Sequence, residues 1–178
     1  LGKRAAITEA MRDNLSEITV SVDSDSGLES QALKQGLRGF LSPNVAGVCG
    51  HTDVANTEDT WLTRMQSQQY FIAFKTFKSL EGYFRSVICC SGAFSLYRTE
   101  CIRPLIDEWS TQIFLGKNRT FGDDRGLTNL LLRDGYDTIY IPEAKARTIV
   151  PQNLRIYIKQ QLRWRRSFLM ESISCLLY

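Results

Sequence analysis

The first candidates for chemistry are two adjacent carboxylates, Asp123 and Asp124, which follow a glycine and directly precede an apolar run with helical spacing. Neighbouring carboxylates repel each other, so such a pair needs a reason, for example a helix N-terminus, a cation or a catalytic role. A structural reason exists here, because Asp123 could cap a helix that begins at Asp124, where the helix dipole and free N–H groups favour negative charge. The pair alone therefore leaves capping and catalysis open.

A second acidic pair, Asp23 and Asp25, follows the alternating β-branched run of residues 18–22. In a turn, both carboxylates can converge on one hard cation such as Mg²⁺ or Mn²⁺, which keeps several waters and takes further ligands from substrate phosphates. Asp, Ser and Gly also favour an ordinary turn at the end of a strand. The spacing is therefore typical of a metal and phosphate site, with a plain turn as the alternative.

A third group lies on the last predicted helix, where Gln160, Arg163 and Trp164 have the i, i+3 and i+4 spacing that places side chains on one face. Arginine suits a pyrophosphate, and tryptophan can stack on the apolar face of a sugar. The alternative is a basic helix with its tryptophan in the core, because four more basic residues lie nearby: Arg155, Lys159, Arg165 and Arg166.

The composition is that of a globular domain. The 178 residues are 43% hydrophobic and 23% charged, with a net charge of +3, so neither disorder nor a fibrous repeat is indicated. No run approaches the roughly 18 apolar residues of a transmembrane helix. The five cysteines form no CxxC pair, which argues against a zinc site or a disulfide framework. The single histidine, His51, is expected at the surface.

Helical and β patterns alternate along the chain, which indicates an α/β fold whose strand ends carry the acidic residues. Residues 59–83 are rich in aromatic side chains, and we expect a long helix there that packs them against the sheet. The other helices are predicted at residues 3–15, 30–40, 103–115, 124–134 and from 154 onward, and the strands at residues 18–22, 45–50, 87–97 (as strand, turn, strand) and 138–141.

In this order, the motifs resemble the D, DxD, D, QxxRW signature of processive family 2 glycosyltransferases. Within that family, the chain looks most like the NodC chitooligosaccharide synthases and their hyaluronan synthase relatives. The likeness covers nearly the whole chain, because further matching segments recur in order at residues 2–4, 22–26, 59–64, 89–92, 121–125 and 150–151.

The resemblance implies a GT-A type nucleotide-sugar transferase domain, with a mixed central sheet flanked by helices. Residues 1–150 would form the catalytic core, and residues 151–178 an amphipathic interface helix that leads toward a membrane region. It also implies an N-terminal truncation, since the family's first nucleotide-binding strands would precede residue 3. We therefore expect this piece of 178 residues to be inactive on its own.

The resemblance further implies a role for each site residue. Asp23 and Asp25 would hold the diphosphate of a UDP-sugar, Asp25 through the metal. Asp124 would be the general base, and Asp123 would support its placement. The remaining residues implied are Lys3, Arg4, Gln160 and Arg163 at the donor, and Trp164, Cys89, Ser91 and Gly92 at the acceptor.

The implied function is inverting, processive transfer of N-acetylglucosamine (GlcNAc) from UDP-GlcNAc to a growing chitin-like oligosaccharide at the cytoplasmic face of the cell membrane. Mg²⁺ or Mn²⁺ would be the cofactor. The alternatives within the enzyme class are a hyaluronan synthase that also uses UDP-glucuronic acid and a non-processive family 2 transferase. A nucleic-acid-binding module would leave both acidic motifs unexplained. A degenerate domain that serves only in assembly would not turn over a UDP-sugar.

Overall fold

The structure is a computed structural model that describes residues 3–114, 116–119 and 122–177, except for the side chains of residues 3, 117, 118, 176 and 177. Short 3₁₀ segments at Arg38–Leu41 and Arg103–Leu105 extend or join helices. In chain order, the elements are α1 (Lys3–Arg12), β1 (Ile18–Ser21), β2 (Ser26–Leu28), α2 (Ala32–Leu37), β3 (Val45–Val54), α3 (Trp61–Ile72), α4 (Ser79–Tyr83), β4 (Ser95–Arg98), α5 (Thr99–Ile102), α6 (Ile106–Ser110), β5 (Ile113–Phe114), β6 (Lys117–Asn118), α7 (Asp123–Arg133), β7 (Asp137–Thr148) and α8 (Leu154–Leu177).

Five strands form the central sheet, in the order β1-β4-β3-β7-β2. The long strands β3 and β7 run parallel, and the other neighbours pair antiparallel. Nearly every residue of β3 is buried, as expected for a strand that is covered on both faces of the sheet. The predicted mixed sheet flanked by helices is confirmed.

Two clusters of apolar side chains cover the two faces of this sheet. Neighbouring residues of one strand, such as Leu96 and Tyr97, belong to different clusters, because successive side chains of a strand point to opposite faces. The cluster that contains Tyr97 also holds Trp109 of α6 and Leu131 of α7. α7, which carries the two aspartates, therefore packs on the sheet through this cluster.

The aromatic helix is present, but its packing differs from the expectation. A π-helical segment, Ala73–Lys78, joins α3 and α4 into one helix over residues 61–83. Phe74 is buried at 5% exposure and Tyr70 packs beside it. The spacing of the other aromatics spreads them around the helix, so the expectation that they pack on the sheet is wrong for Trp61, Phe71, Phe77, Tyr83 and Phe84, which are 56% to 82% exposed.

Three smaller expectations also change. Of residues 87–97, only the part from Ser95 is a strand, and residues 89–93 form a loop. The predicted helix 103–115 ends at Ser110 in α6. His51 is buried, not at the surface, because both ring nitrogens are satisfied by hydrogen bonds, Nδ1 with the Tyr140 hydroxyl at 2.7 Å and Nε2 with the Asp53 carboxylate at 3.0 Å.

Candidate active site

A cleft of about 490 Å³ opens between the segment that follows β1, the loop of residues 89–93, the N-terminus of α7 and one side of α8. These segments are far apart in sequence and meet at one edge of the sheet. Both acidic pairs and the three polar residues of the last helix line this cleft: Asp23, Asp25, Asp123, Asp124, Gln160, Arg163 and Trp164.

Asp124 lies in the first turn of α7 and is held by backbone contacts on two sides. The Gly92 N–H donates to Oδ2 of Asp124 at 3.0 Å. The Thr128 hydroxyl donates to the Asp124 carbonyl oxygen at 2.7 Å and accepts from the Cys90 N–H at 3.0 Å. The loop of residues 89–93 and the start of α7 are thereby joined, so the orientation of the Asp124 carboxylate is fixed before any ligand binds.

Asp123 faces a different partner. Arg4 of α1 donates from Nε to Oδ1 of Asp123 at 2.8 Å, and its Nη1 donates to the Trp109 carbonyl oxygen at 2.8 Å. The Trp109 indole N–H donates in turn to the Asp123 carbonyl oxygen at 3.0 Å. The residue before the helix, Gly122, has a left-handed conformation with φ of 82° and no capping side chain. The capping explanation for Asp123 is therefore wrong, because its carboxylate binds an arginine and α7 begins at Asp123 itself.

Asp23 and Asp25 lie in the turn between β1 and β2, where the Ser26 N–H donates to the Asp23 carbonyl oxygen at 3.0 Å. The carboxylates of Asp23 and Asp124 meet at Gly92. A Cβ placed on that glycine would lie 3.0 Å from Oδ2 of Asp23 and 2.7 Å from Oδ2 of Asp124. Any side chain at position 92 would collide with these carboxylates, so the glycine allows them to approach the loop closely.

Tyr70 forms part of the same acidic region. Burial, followed by the negative charges of Asp25 and Asp23, raises the pKa of Tyr70 to about 12. The phenol is therefore neutral at physiological pH. Its ring stacks on Phe74, with ring centroids 6.1 Å apart, and Tyr70 lines the cleft.

A divalent cation fits this site only with help from a ligand. Among the described residues, no three His, Cys, Asp or Glu side chains are grouped closely enough to hold a metal by themselves. Asp23 and Asp25 nevertheless offer carboxylate oxygens at one wall of the cleft. Oxygen donors of this kind suit Mg²⁺ or Mn²⁺, provided that waters and phosphate oxygens complete the coordination shell.

The opposite wall is α8. Gln160, Arg163 and Trp164 all face the cleft, and Trp164 is 39% exposed. The side-chain carbonyl oxygen of Gln160 is buried and has no hydrogen-bond partner within the described part of the chain. A buried polar atom without a partner is uncommon in native proteins, which is the pattern expected where a ligand supplies the missing contact.

The sequence profile of the family described as chitin synthase matches residues 5–177. The chain belongs to the chitin synthase family. It is 42% identical over 166 residues to an N-acetylglucosaminyltransferase of Azorhizobium caulinodans, covering 93% of this chain and 42% of the relative. It is 36% identical over 176 residues to an N-acetylglucosaminyltransferase of Sinorhizobium fredii, covering 99% of this chain and 43% of the relative. The chain thus spans about two fifths of the length of these relatives.

Among solved structures, the mannosyltransferase PcManGT from Pyrobaculum calidifontis, in complex with GDP-Man and Mn²⁺, matches with a TM-score of 0.70 and 18% identity, covering 99% of this chain and 44% of that protein. The match confirms the predicted GT-A type fold. The family assignment confirms the resemblance to family 2 glycosyltransferases of the NodC type.

For this member of the chitin synthase family, the structure brings together most of the residues predicted for the site. Cys89, Ser91 and Gly92 also line the cleft, and burial raises the pKa of the Cys89 thiol, which keeps it neutral. The side chain of Lys3 lies outside the described part of the structure. Arg4 is buried and its guanidinium binds Asp123, and the donor contact expected for it stays a prediction.

The cleft residues that the prediction missed include Tyr70, Arg125 and Ser167. The sequence analysis places Tyr70 among the aromatic side chains that pack on the sheet. The only sequence signal for its position is the spacing of four residues from Phe74, which puts both rings on one face of the helix. Arg125 directly follows the acidic pair, and its guanidinium lies over the Phe168 ring at 4.9 Å from the centroid. Ser167 continues the face of Gln160, Arg163 and Trp164 by one helical turn, so the spacing rule extended to the next turn would have included it.

No helix within the described residues is both long enough and apolar enough to cross a membrane.

Proposed function

We propose that the protein transfers GlcNAc from UDP-GlcNAc to the end of a growing chitin-like oligosaccharide, with inversion at the anomeric carbon. The transfer is processive, so the product stays bound between additions. The observation that carries this proposal is the single cleft shared by Asp25, Asp124 and Trp164. The names of the two relatives, both N-acetylglucosaminyltransferases, support GlcNAc as the sugar.

In the proposed reaction, an acceptor hydroxyl oxygen attacks the anomeric carbon while the bond from that carbon to the UDP oxygen breaks. Asp124 takes the hydroxyl proton as a general base, a role that requires a carboxylate in a fixed position. The hydrogen bond from the Gly92 N–H to the carboxylate, and that from the Thr128 hydroxyl to the Asp124 carbonyl oxygen, support that position. Asp123 is neutralised by Arg4 and supports the placement of α7.

The leaving diphosphate gains negative charge as the bond breaks, and fixed positive groups stabilise that charge. Arg163 is the proposed contact of α8 with the diphosphate. Gln160 lies beside it, and its unpaired carbonyl oxygen can accept a hydrogen bond from an O–H or N–H group of the UDP-sugar. A divalent ion, when bound by Asp25 with Asp23 nearby, supplies Lewis acidity toward the diphosphate. The Mn²⁺ found with PcManGT supports the use of such an ion.

The acceptor is proposed to lie against Trp164, with its reactive end near Cys89, Ser91 and Gly92. The partly exposed indole offers an apolar surface for a sugar ring. The acceptor hydroxyl group is proposed to lie beside Asp124, which lines the same cleft as Gly92. This arrangement places the nucleophile beside the proposed base.

We further propose that the domain works at the cytoplasmic face of a membrane. The side of α8 that faces away from the cleft carries apolar side chains that are 46% to 60% exposed, and basic residues flank them. An apolar stripe with lysines and arginines beside it is typical of helices that lie in a lipid headgroup region. The apolar residues are Leu154, Ile158, Leu162, Leu169 and Ile173.

The test is product analysis with membranes from cells that express the complete gene. With UDP-GlcNAc alone and Mg²⁺ or Mn²⁺, we expect GlcNAc oligomers, and chelation with EDTA should stop their formation until metal is restored. A polymer that forms only when UDP-glucuronic acid is also present would favour a hyaluronan synthase. A single sugar on a lipid or protein would favour a non-processive transferase. Absence of any turnover of UDP-GlcNAc would overturn the proposal.

A further inference from the structure

The last helix, α8, is built with its polar side inward. Among its described side chains, four are buried at 7% exposure or less, and only Met170 of these is apolar; the others are Ser167, Glu171 and Ser174. Its opposite side carries exposed leucines and isoleucines, such as Leu162 and Leu169 at 49% and 60%. Apolar packing within the domain therefore does not explain why this side, and not the other, is turned toward α7.

A buried ion pair occupies the inward side instead. Arg119 donates from Nη1 to Oε1 of Glu171 at 2.5 Å, and both side chains are 3% exposed or less. Asn129 of α7 donates from Nδ2 to the second carboxylate oxygen of Glu171 at 3.1 Å. The other guanidinium branch of Arg119, Nη2, donates to the Ser174 hydroxyl at 2.5 Å. Glu171 is thus bound from α7 on one oxygen and from the loop before α7 on the other.

The same network reaches the acidic pair of the cleft. Gln112 accepts hydrogen bonds from Arg119 at 3.3 Å and from Arg4 at 3.4 Å through one side-chain oxygen. Arg4 is the partner of Asp123. Two arginines and two carboxylates therefore form one buried network with no net charge, which links α1, the loop, α7 and α8.

Glu171 lies seven residues after Trp164 and eleven after Gln160, which is about two and three turns of an α-helix. The three side chains therefore share one stripe of α8. Ser167 lies between them and packs against Gly122, where an added Cβ would be 2.4 Å from the Ser167 hydroxyl oxygen. The rotation of α8 that satisfies Glu171 is also the rotation that turns Gln160 and Trp164 toward the cleft.

A buried carboxylate without its cation is strongly disfavoured, whereas a neutral pair at the same place is tolerated. If α8 turned its apolar side inward, Glu171 would leave both partners and leave the Arg119 charge buried alone. The pair thus selects one rotation of α8 within the domain. Selection of a register is the best attested use of a buried polar pair.

We propose that Glu171 and Arg119 are positioning residues that fix the rotation of α8 and so hold Gln160, Arg163 and Trp164 opposite Asp124. Their effect on turnover rests on the proposed function, whereas their effect on the helix does not. The two parts are therefore tested with separate measurements on the same membranes, prepared from cells that express the complete gene.

The first measurement is the rate of maleimide labelling at two positions on different sides of α8. Met170→Cys places a thiol on the buried side, and Arg165→Cys places one at an exposed position beside the apolar stripe, each in a Cys175→Ser background with labelling read by peptide mass spectrometry. We expect slow labelling at position 170 and fast labelling at position 165. Glu171→Gln or Arg119→Gln should accelerate labelling at position 170 by about tenfold or more, because the helix opens more readily.

The double change Arg119→Gln with Glu171→Gln should label more slowly at position 170 than either single change, since no buried charge is left alone. The matched control is Glu58→Gln, which breaks the exposed pair between Glu58 and Arg64. It should leave the labelling rate at position 170 unchanged. Unchanged labelling at position 170 in both single variants would overturn the role of the pair. Additive effects in the double variant would do the same, because the two residues would then act independently.

The second measurement is turnover per folded molecule. Glu171→Gln should raise KM for the donor and lower kcat by about tenfold or more, while Asp124 keeps its own contacts. The double variant should recover part of the loss. Accelerated labelling with unchanged KM and kcat would overturn the positioning of the site. Absence of transfer by the unaltered protein would instead contradict the proposed function, and the labelling result would still decide whether the pair fixes α8.

Discussion

The two walls of the cleft are held in opposite ways. α7, which carries Asp124, places Leu127, Leu130 and Leu131 in the main apolar cluster, and each such side chain contributes about 1.5–3 kcal/mol when fully buried. Within the described residues, no side chain of α8 belongs to either apolar cluster. α8 is held by Glu171 and its partners. The helix of the proposed base is thus held by apolar packing, and the helix of the proposed substrate contacts is held by buried polar contacts.

This difference suggests a division of tasks. A base must keep its position to a fraction of an ångström throughout the reaction, and apolar packing with backbone hydrogen bonds provides such rigidity. The wall that touches donor and acceptor must release one sugar unit and accept the next. A helix held by a few strong polar contacts can do so without disturbing the core. The following changes test each wall separately.

The largest effect is expected for Asp124→Asn in the complete protein. The amide keeps the shape of the side chain but cannot take a proton, so transfer should fall by about 10²- to 10⁴-fold. Binding of UDP should be retained, because the donor contacts lie on α8 and near Asp25. The measurements are initial transfer rates and UDP affinity. Asp134→Asn, at the other end of the same helix, is the matched control, and retained turnover in Asp124→Asn would refute the base assignment.

Arg4→Met should show how much the rigid wall depends on a single partner of Asp123. Removing one member of a buried pair leaves the other charge alone, and we expect a loss of about 3 kcal/mol in the free energy of unfolding. Arg12→Met is the control, because Arg12 is on the same helix and its pair with Glu9 is exposed. Equal unfolding midpoints for the two variants would mean that Arg4 does not support α7.

Trp164→Ala tests the other wall with a smaller expected effect. Loss of the indole should raise KM for an oligosaccharide acceptor by about tenfold, or roughly 1.4 kcal/mol, because one stacking surface is removed. The free energy of unfolding should change little, since Trp164 does not belong to either apolar cluster. Trp61→Ala removes an indole that is 69% exposed and does not line the cleft, so it serves as the control. A change in UDP affinity without a change in acceptor KM would contradict the acceptor role.

How much of this arrangement could be predicted from sequence follows the same division. Asp23 and Asp25 stand directly after a strand, and Gln160 and Trp164 share a helical face, so local patterns were sufficient to select them. Glu171 could not be selected, because its partner Arg119 lies 52 residues away and the pair exists only after folding. The contact of Arg4 with Asp123 could not be predicted for the same reason, since it spans 119 residues.

The smallest effect is expected at Tyr70, and it tests whether the Asp23 and Asp25 carboxylates act on this phenol. Its pKa of about 12 in the folded protein is above its ordinary value of 10.0, so the neutral phenol is favoured by folding. That contribution is complete below pH 10 and is lost as the pH rises through about 12. Tyr70→Phe should therefore flatten the loss of stability between pH 10 and 12, measured by thermal unfolding across that range, and leave the curve below pH 9 parallel to that of the unaltered protein. Adding Asp25→Asn should lower the pKa of Tyr70 by removing one of the charges that raise it, so an unchanged titration in that variant would mean that the Asp25 carboxylate does not face the phenol.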